Sequence, residues 1–266
     1  MSGLRVWVEG IGLLGPGLGS WSAARDMLRG AQPLVTAPSV LPAPARLPPA
    51  ERRRAGAAVK LALAVADAAV AQAQVDPALL ATVFTSSSGE GANCHALCEA
   101  LASSAPMVSP TRFTNSVHNA ASGAWHIAVG SRAASTSLCA FDGSFGAGLI
   151  EAATSVALSG APVLLVASDS PYPEPLNAVR PLPDHFGVAL LLAPAASTRS
   201  IAALTIALVG VDHVATRCDD AALEALRRAI PAAAALPLLI ALAQAAPDRS
   251  VVLDYLAATR LQVDCR

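Results

Sequence analysis

The segment DGSFG holds the first residue that could do chemistry, Ser144. It lies between a predicted strand and a predicted helix, where a nucleophile elbow would hold its serine. A hydrolase elbow has glycine two positions before the serine, and this chain has Asp142 there. The histidine of a triad could be His185 or His213, but each directly follows its only nearby aspartate, an arrangement that does not suit a triad. A serine hydrolase using Ser144 therefore stands as an alternative function.

Cys139 precedes this segment on a predicted strand, and a divergent thiol enzyme using it is a second alternative. A thiol nucleophile is usually held at a helix N-terminus, where the helix dipole lowers its pKa, and Cys139 lies ahead of such a position. Cys94 and Cys98 share a helix face, but no second Cys or His pair follows at zinc spacing. We therefore predict no metal site.

Three glycines, Gly10, Gly12 and Gly15, match the dinucleotide-binding pattern GxGxxG after the first predicted strand. That motif needs a helix to begin inside it, and Pro16 interrupts at this point. The acidic residue expected some 20 positions later is also missing. The pattern predicts a tight turn after a strand and no cofactor.

Composition excludes several classes of protein. The chain has 266 residues, 54% of them hydrophobic and 14% charged, so it is not a disordered protein. A net charge of -1 argues against a nucleic-acid partner. We find no signal peptide and no apolar run long enough to cross a membrane, so we expect no membrane association and a cytoplasmic location. Five cysteines without framework spacing fit a reducing compartment.

Strands and helices alternate along the first 200 residues, which predicts an α/β domain with a largely buried sheet. Predicted strands cover residues 4–9, 80–85, 135–140, 162–167, 187–192 and 201–211, with two short strands near Val251 and Leu261. Predicted helices cover residues 21–29, 51–74, 91–102, 120–129 and 144–158, with two more after residue 211. Residues 31–50 are rich in proline and predict a surface connection.

Residues 108–123 (VSPTRFTNSVHNAASG) resemble the segment that precedes the active-site strand of β-ketoacyl synthases, a family with the thiolase fold. Three weaker matches surround it: the opening VxVxGxG strand, the turn TSSSG at residues 85–89, and the helix and strand around Gly160. The resemblance covers roughly residues 4–200. It implies a layered αβαβα fold reduced to one complete N-terminal half, residues 1–200, with a truncated second half, residues 201–266, packed on the same domain.

The departures from the family concern its catalytic groups. Counting from Gly160 places the family's cysteine at Gly143, whereas counting from Gly130 places it at Asp142. The two histidine-containing runs of the catalytic members do not occur in this sequence. Thioester condensation needs a thiolate and imidazoles. The resemblance therefore implies no catalytic residue.

The resemblance implies a chain-length-factor type subunit of a polyketide or aryl polyene system. Such a subunit forms a heterodimer with a catalytic ketosynthase and shapes the pocket for an acyl chain carried by acyl carrier protein. A structural homodimer with no acyl role is a further alternative.

The resemblance also implies two contact regions. One is the interface loop, Pro110 to Asn119, which in the family closes the far end of the partner's acyl pocket; its site residues here are Arg112, Phe113, Ser116, Val117 and Asn119. The alternative is that Phe113 and Val117, four residues apart, are ordinary core residues. The other region is a dimer strand that pairs antiparallel with its counterpart in the partner, formed by Ser135, Thr136, Ser137, Leu138 and Cys139.

Overall fold

One mixed β-sheet of eight strands runs through the protein, in the order β3-β2-β4-β5-β1-β6-β8-β7. The computed structural model describes residues 3–244 and 248–266. Strands β3, β2 and β4 are parallel, and every other neighbouring pair is antiparallel. The strands are β1 (Leu4–Leu14), β2 (Ala81–Thr85), β3 (Ser135–Leu138), β4 (Val163–Asp169), β5 (Phe186–Ala193), β6 (Ala202–Gly210), β7 (Arg249–Leu256) and β8 (Thr259–Cys265).

Helices cover both faces of the sheet, as the predicted α/β architecture requires. Helices α3 and α6 pack on one face, while α1, α7, α9 and α10 pack on the other. The helices are α1 (Trp21–Leu28), α2 (Pro49–Arg54), α3 (Ala57–Ala73), α4 (Gly91–Ala102), α5 (Pro110–Thr114), α6 (Ala120–Val129), α7 (Ser144–Ser159), α8 (Leu176–Val179), α9 (Ala221–Ala229) and α10 (Leu236–Gln244). Short 3-10 turns lie at Pro77–Leu79, Phe141–Gly143 and Pro231–Ala235.

The tight turn predicted at the first glycines forms later than expected, between Gly15 and Leu18, because β1 is longer than predicted. Gly10 and Gly12 continue β1, which runs to Leu14. A Cβ atom on Gly10 would lie 2.2 Å from the Ala69 carbonyl oxygen, and one on Gly12 only 1.8 Å from that of Val65. Glycine is needed at these two positions because α3 packs directly against the strand backbone.

The single helix predicted over residues 51–74 is in fact two helices. Helix α2 ends at Arg54, and α3 begins at Ala57 after Gly56. Gly56 offers no side chain to cap α3, and the Glu90 carboxylate instead accepts a hydrogen bond from the Val59 N–H at 3.0 Å. Burial raises the pKa of Glu90, while this hydrogen bond acts in the opposite direction.

Residues 201–266 extend the same sheet. Strand β6 pairs with β1, and the C-terminal hairpin, β7 with β8, adds beyond β6. The 3-10 turn at residues 231–235 and helix α10 pack beside α7 and α1 respectively. This second region therefore covers the helix that follows β3.

Candidate functional site

The turn between β3 and α7 (residues 139–143), here called the elbow, is where the family would hold its nucleophile. Strand β3 ends at Leu138, and α7 begins at Ser144. Between them Phe141 has a φ of +53°, in the left-handed region. A strained residue between a strand and a helix is the geometry of a nucleophile elbow. The sequence located this turn, and it did not reveal which residue carries the strain.

Gly143, one of the two predicted nucleophile positions, is buried under the C-terminal hairpin. A Cβ atom there would lie 2.2 Å from the carbonyl oxygen of Tyr255, at the end of β7. One turn further along α7, a Cβ on Gly146 would lie 3.2 Å from the Tyr255 ring. A side chain at position 143 would collide with backbone, so this position has no room for a nucleophile.

Asp142, the other predicted position, points to the surface. Its side chain is 69% exposed and its carboxylate lies 2.6 Å from the guanidinium of Arg180. Arg180 in turn stacks over the Phe141 ring, with 3.6 Å from its central carbon to the ring centroid. The carboxylate is therefore committed to an ion pair at the surface.

Ser144 is buried and bonded to its own turn. Its hydroxyl donates to the Phe141 carbonyl at 2.7 Å and accepts from the Ala140 N–H at 3.1 Å. The two candidate histidines are engaged elsewhere: His185 bonds the Ser170 hydroxyl, and His213 lies 4.0 Å from Asp212. In the described part of the chain, the structure does not bring an acid and a base to Ser144.

The cysteines fall into two groups. Cys94, Cys98 and Cys139 are exposed, whereas Cys218 and Cys265 are buried. Burial raises the pKa of Cys218 to about 12 and that of Cys265 to about 11, so both thiols are unreactive at neutral pH. Among residues 3–244 and 248–266, no three metal-ligating side chains lie together.

Cys139 does not belong to the dimer strand, contrary to the predicted range. Strand β3 ends one residue earlier, because its partner β2 ends at Thr85 and the last bond between them joins the Ser86 N–H to the Leu138 carbonyl. The Cys139 thiol instead faces the Ser87 carbonyl at 3.5 Å. Ser135, Thr136, Ser137 and Leu138 form the strand as predicted.

Strand β3 is the edge strand at one end of the sheet. It pairs with β2, and none of the described segments pairs with its other side. The parallel register places the N–H and C=O groups of Ser135 and Ser137 away from β2. This edge is therefore available for a strand from another chain.

The interface loop is partly helical and its apolar residues are exposed. Phe113 lies in α5 and is 68% exposed, while Val117 lies beyond α5 and is 50% exposed. The alternative that these two are core residues is therefore wrong, because α5 ends at Thr114 and they do not share a helix face against the core. Ser116 donates to the Phe113 carbonyl at 2.7 Å, and Asn119 precedes α6 as its N-cap residue.

A cavity of about 400 Å³ lies behind the interface loop. Val117, Val59 and Ile127 give it apolar walls, and Arg112 and Arg54 lie among its polar lining residues. This volume is within the range of small-molecule sites in proteins. Gly123 also lines the cavity, and a Cβ there would meet nothing within 4 Å.

Asp169 is a buried acid that the sequence analysis did not identify. Its carboxylate accepts hydrogen bonds from the N–H and hydroxyl of Ser87 and the hydroxyl of Ser86, and from the Ala232 N–H at 2.8 Å. Burial raises its pKa, against the lowering effect of these donors. The residue joins the turn after β2 to the C-terminal region. An acid at the end of β4, after the apolar run of that strand, was the available signal.

No helix in the described ranges is both long and apolar enough to cross a bilayer.

Comparison with known proteins gives both a family and a fold. Residues 21–238 match the family described as Beta-ketoacyl synthase, N-terminal domain. No curated protein matches the chain at a significant level.

Solved structures resemble the whole chain. One is the ketosynthase ApeO in complex with its chain length factor ApeC from Xenorhabdus doucetiae, with 21% identity, a TM-score of 0.73, and coverage of 97% of this chain and 99% of that chain. Another is the ishigamide ketosynthase/chain length factor, with 16% identity, a TM-score of 0.75 and coverage of 99% of each chain. A third is the complex AntDE:AntF, with 12% identity, a TM-score of 0.75, and coverage of 100% of this chain and 99% of that chain.

These likenesses confirm the predicted thiolase-like α/β fold, with a single sheet and its two helix layers in the described residues. The family match spans most of the sequence and includes the elbow, the interface loop and the edge strand. The chain belongs to the β-ketoacyl synthase N-terminal domain family.

Proposed function

We propose that this chain is a non-catalytic chain-length factor of polyketide or aryl polyene-type biosynthesis in the cytoplasm. It forms a heterodimer with a catalytic ketosynthase and shapes the pocket that receives the acyl chain from acyl carrier protein. The observation that carries the proposal is the contact at Gly143, where the backbone of Tyr255 occupies the space that a nucleophilic side chain would need.

Condensation chemistry supports the inactive role. A synthase needs a thiolate to take up the acyl group and imidazoles to stabilise the enolate. At the elbow, Gly143 has no space for a side chain and Asp142 is paired with Arg180. An aspartate that faces solvent and a guanidinium is a poor substitute for a thiolate.

The edge strand supports a partner. An unpaired edge in a soluble protein invites pairing with another chain, and β3 carries no proline or charge that would block it. The structures that resemble this chain include a ketosynthase in complex with its chain length factor, and a ketosynthase with its acyl-carrier protein. A catalytic ketosynthase is therefore the partner that we propose for this edge.

The interface loop supports a role in chain length. Phe113 and Val117 project from the surface, where a partner subunit can cover them. We propose that they lie nearest the partner's acyl pocket together with Ser116. Arg112 is exposed, because a buried guanidinium without a partner would be costly, and we expect it to contact a carboxylate or backbone carbonyls of the ketosynthase.

The alternative functions have less support. The Ser144 hydroxyl makes two hydrogen bonds within the elbow, so it is not free to attack a substrate. Cys139 is exposed, but its thiol donates to the Ser87 carbonyl oxygen at 3.5 Å, and a carbonyl oxygen does not act as the general base that a thiol nucleophile needs. A structural homodimer would use the same edge strand. In that case, variants of this chain would leave the length of the ketosynthase products unchanged.

Product analysis of a co-expressed pair tests the proposal. The chain is produced with the catalytic ketosynthase of the same organism, and complex formation is confirmed by size exclusion before products are measured. Val117→Phe should shorten the products, because the added ring removes pocket volume, and Phe113→Ala should lengthen or broaden them. Val35→Phe, at an exposed position far from the loop in sequence, is the matched control. Unchanged product lengths in an intact complex would assign chain length to the ketosynthase alone.

Inactivity is tested on the isolated chain. Incubation with acyl thioesters should give no covalent adduct by intact mass. An acyl adduct on Cys139 that disappears in Cys139→Ala would overturn the non-catalytic assignment.

A further inference from the structure

Phe141 is an exposed aromatic residue on a strained backbone. Its φ of +53° is unusual for a bulky side chain, since the Cβ atom crowds the backbone in this region. Strain of this kind is normally offset by packing, yet the Phe141 side chain is 60% exposed. Apart from the contact with Arg180, the isolated chain gains little from phenylalanine here, and glycine or asparagine would fit the backbone better.

The ring is nevertheless held in one place. The Arg180 guanidinium lies 3.6 Å from the ring centroid, and the same guanidinium is fixed by Asp142 at 2.6 Å. Arg180 also lies 5.8 Å from the centroid of the Tyr172 ring. A side chain that is ordered before binding loses little conformational entropy when a partner covers it.

The position of the ring relative to β3 points to the partner. Phe141 follows Leu138, the last residue of the edge strand, by three residues, which limits their separation to about 10 Å. Two further exposed apolar side chains, Leu176 and Val179, lie on α8 directly before Arg180. A ketosynthase that pairs with β3 therefore brings its surface to Phe141.

We propose that Phe141 is an anchor residue of the heterodimer, inserted into an apolar pocket on the catalytic ketosynthase. This inference rests on the proposed pairing with a ketosynthase. The elbow, which would hold a nucleophile for the substrate in a synthase, here holds an aromatic side chain for the partner. Buried aromatic residues near the centre of an interface commonly dominate its affinity.

Substitution at Phe141 separates this role from a structural one. In Phe141→Gly and Phe141→Asn the affinity for the ketosynthase of the same organism should fall by about 30-fold or more, as for other anchor residues. The melting temperature of the isolated chain should stay the same or rise, because both residues accept the left-handed backbone. Leu158→Ala, at an 84% exposed position near the opposite end of α7, is the control and should change neither quantity.

Affinity is measured by biolayer interferometry with immobilised ketosynthase, and stability by thermal unfolding. If both variants bind as tightly as the wild type, the anchor is refuted while the heterodimer stands. If either variant lowers the melting temperature by several degrees, the ring serves the fold of the chain and the anchor is also refuted. If the wild-type chain does not bind the ketosynthase, the proposed function fails together with the anchor.

Discussion

The two edge strands of the sheet differ in whether other segments of the chain satisfy their outward hydrogen-bonding groups. At the β7 edge, the Thr216 N–H donates to the Val252 carbonyl at 2.8 Å and the Thr216 hydroxyl accepts from the Val252 N–H at 2.9 Å. Arg227, on α9, adds an ion pair to Asp254 at 3.0 Å. At the β3 edge, the outward groups of Ser135 and Ser137 have no such cover within the described ranges.

The difference in cover between the two edges indicates which of them we expect to bind a partner. An open edge exposes unpaired N–H and C=O groups, and proteins normally cover or blunt it. This chain covers the β7 edge with its own segment, whereas the segments before and after β3 in the chain carry exposed apolar residues, namely Phe113, Val117 and Phe141. We infer that the β7 edge serves the stability of the chain and the β3 edge serves assembly.

Blocking the β3 edge should have the largest effect. Proline at Ser137 removes an outward N–H and places a ring on the edge, while the bonds to β2 come from its neighbours. We expect Ser137→Pro to weaken the heterodimer by at least about 100-fold in a binding titration. Ser137→Ala keeps the N–H and is the control. Equal loss in both variants would mean that the side chain, not edge pairing, mediates contact.

Placing a cysteine side chain at Gly143, a predicted nucleophile position, should lower the stability of the chain and should not give condensing activity. The Cβ of Gly143→Cys would lie 2.2 Å from the Tyr255 carbonyl oxygen, so the C-terminal hairpin must shift. We expect a loss of about 2–3 kcal/mol in the free energy of unfolding, as for overpacked cores. Gly123→Ala, which meets no atom within 4 Å, should be neutral or stabilising. Condensing activity in Gly143→Cys would contradict the account of the elbow.

Weakening the β7 edge should affect stability alone. Thr216→Val keeps the shape of the side chain and removes the oxygen that accepts from Val252, which should cost about 1 kcal/mol in urea unfolding. The affinity for the ketosynthase should not change. A weaker heterodimer would show that the two edges do not have separate roles.

The smallest expected effect is the pH dependence of the stability that Glu224, on α9 near the β7 edge, contributes. Two hydrogen bonds from Arg227 lower the pKa of Glu224 from 4.5 to about 2. The ionised form is thus favoured by folding, so its contribution is present above about pH 4.5 and is lost as the pH falls toward 2. Glu224→Gln should be less stable than the wild type at pH 7, and the difference should shrink through this window. A difference that is independent of pH would assign the effect to packing.

Local signals in the sequence predicted much of the fold. The C-terminal ends of α6 and α7 follow from Gly130 and Gly160, which end each helix in left-handed backbone. Contacts between distant segments were not predictable in this way. Gly10 belongs to a strand because it pairs with Leu191 of β5, and α3 packs on it through Ala69; both residues are far away in the sequence.

The features of the candidate site likewise divide into those predicted from the sequence and those that only the structure shows. The edge strand and the interface loop were located by resemblance. The space beside Gly143 is filled by the backbone of Tyr255, which lies 112 residues later in the sequence. Only the structure shows this contact. The strain at Phe141 likewise has no local signal, because phenylalanine is not a residue that favours left-handed backbone.

Hydrogen exchange in the complex tests the central claim most directly. The isolated chain and its mixture with the ketosynthase are compared by mass spectrometry of peptides that cover residues 135–138 and 249–256. The account predicts strong protection of the β3 peptide on mixing and no change in the β7 peptide. An intact complex with unchanged exchange at β3, or with protection at β7 instead, would contradict it.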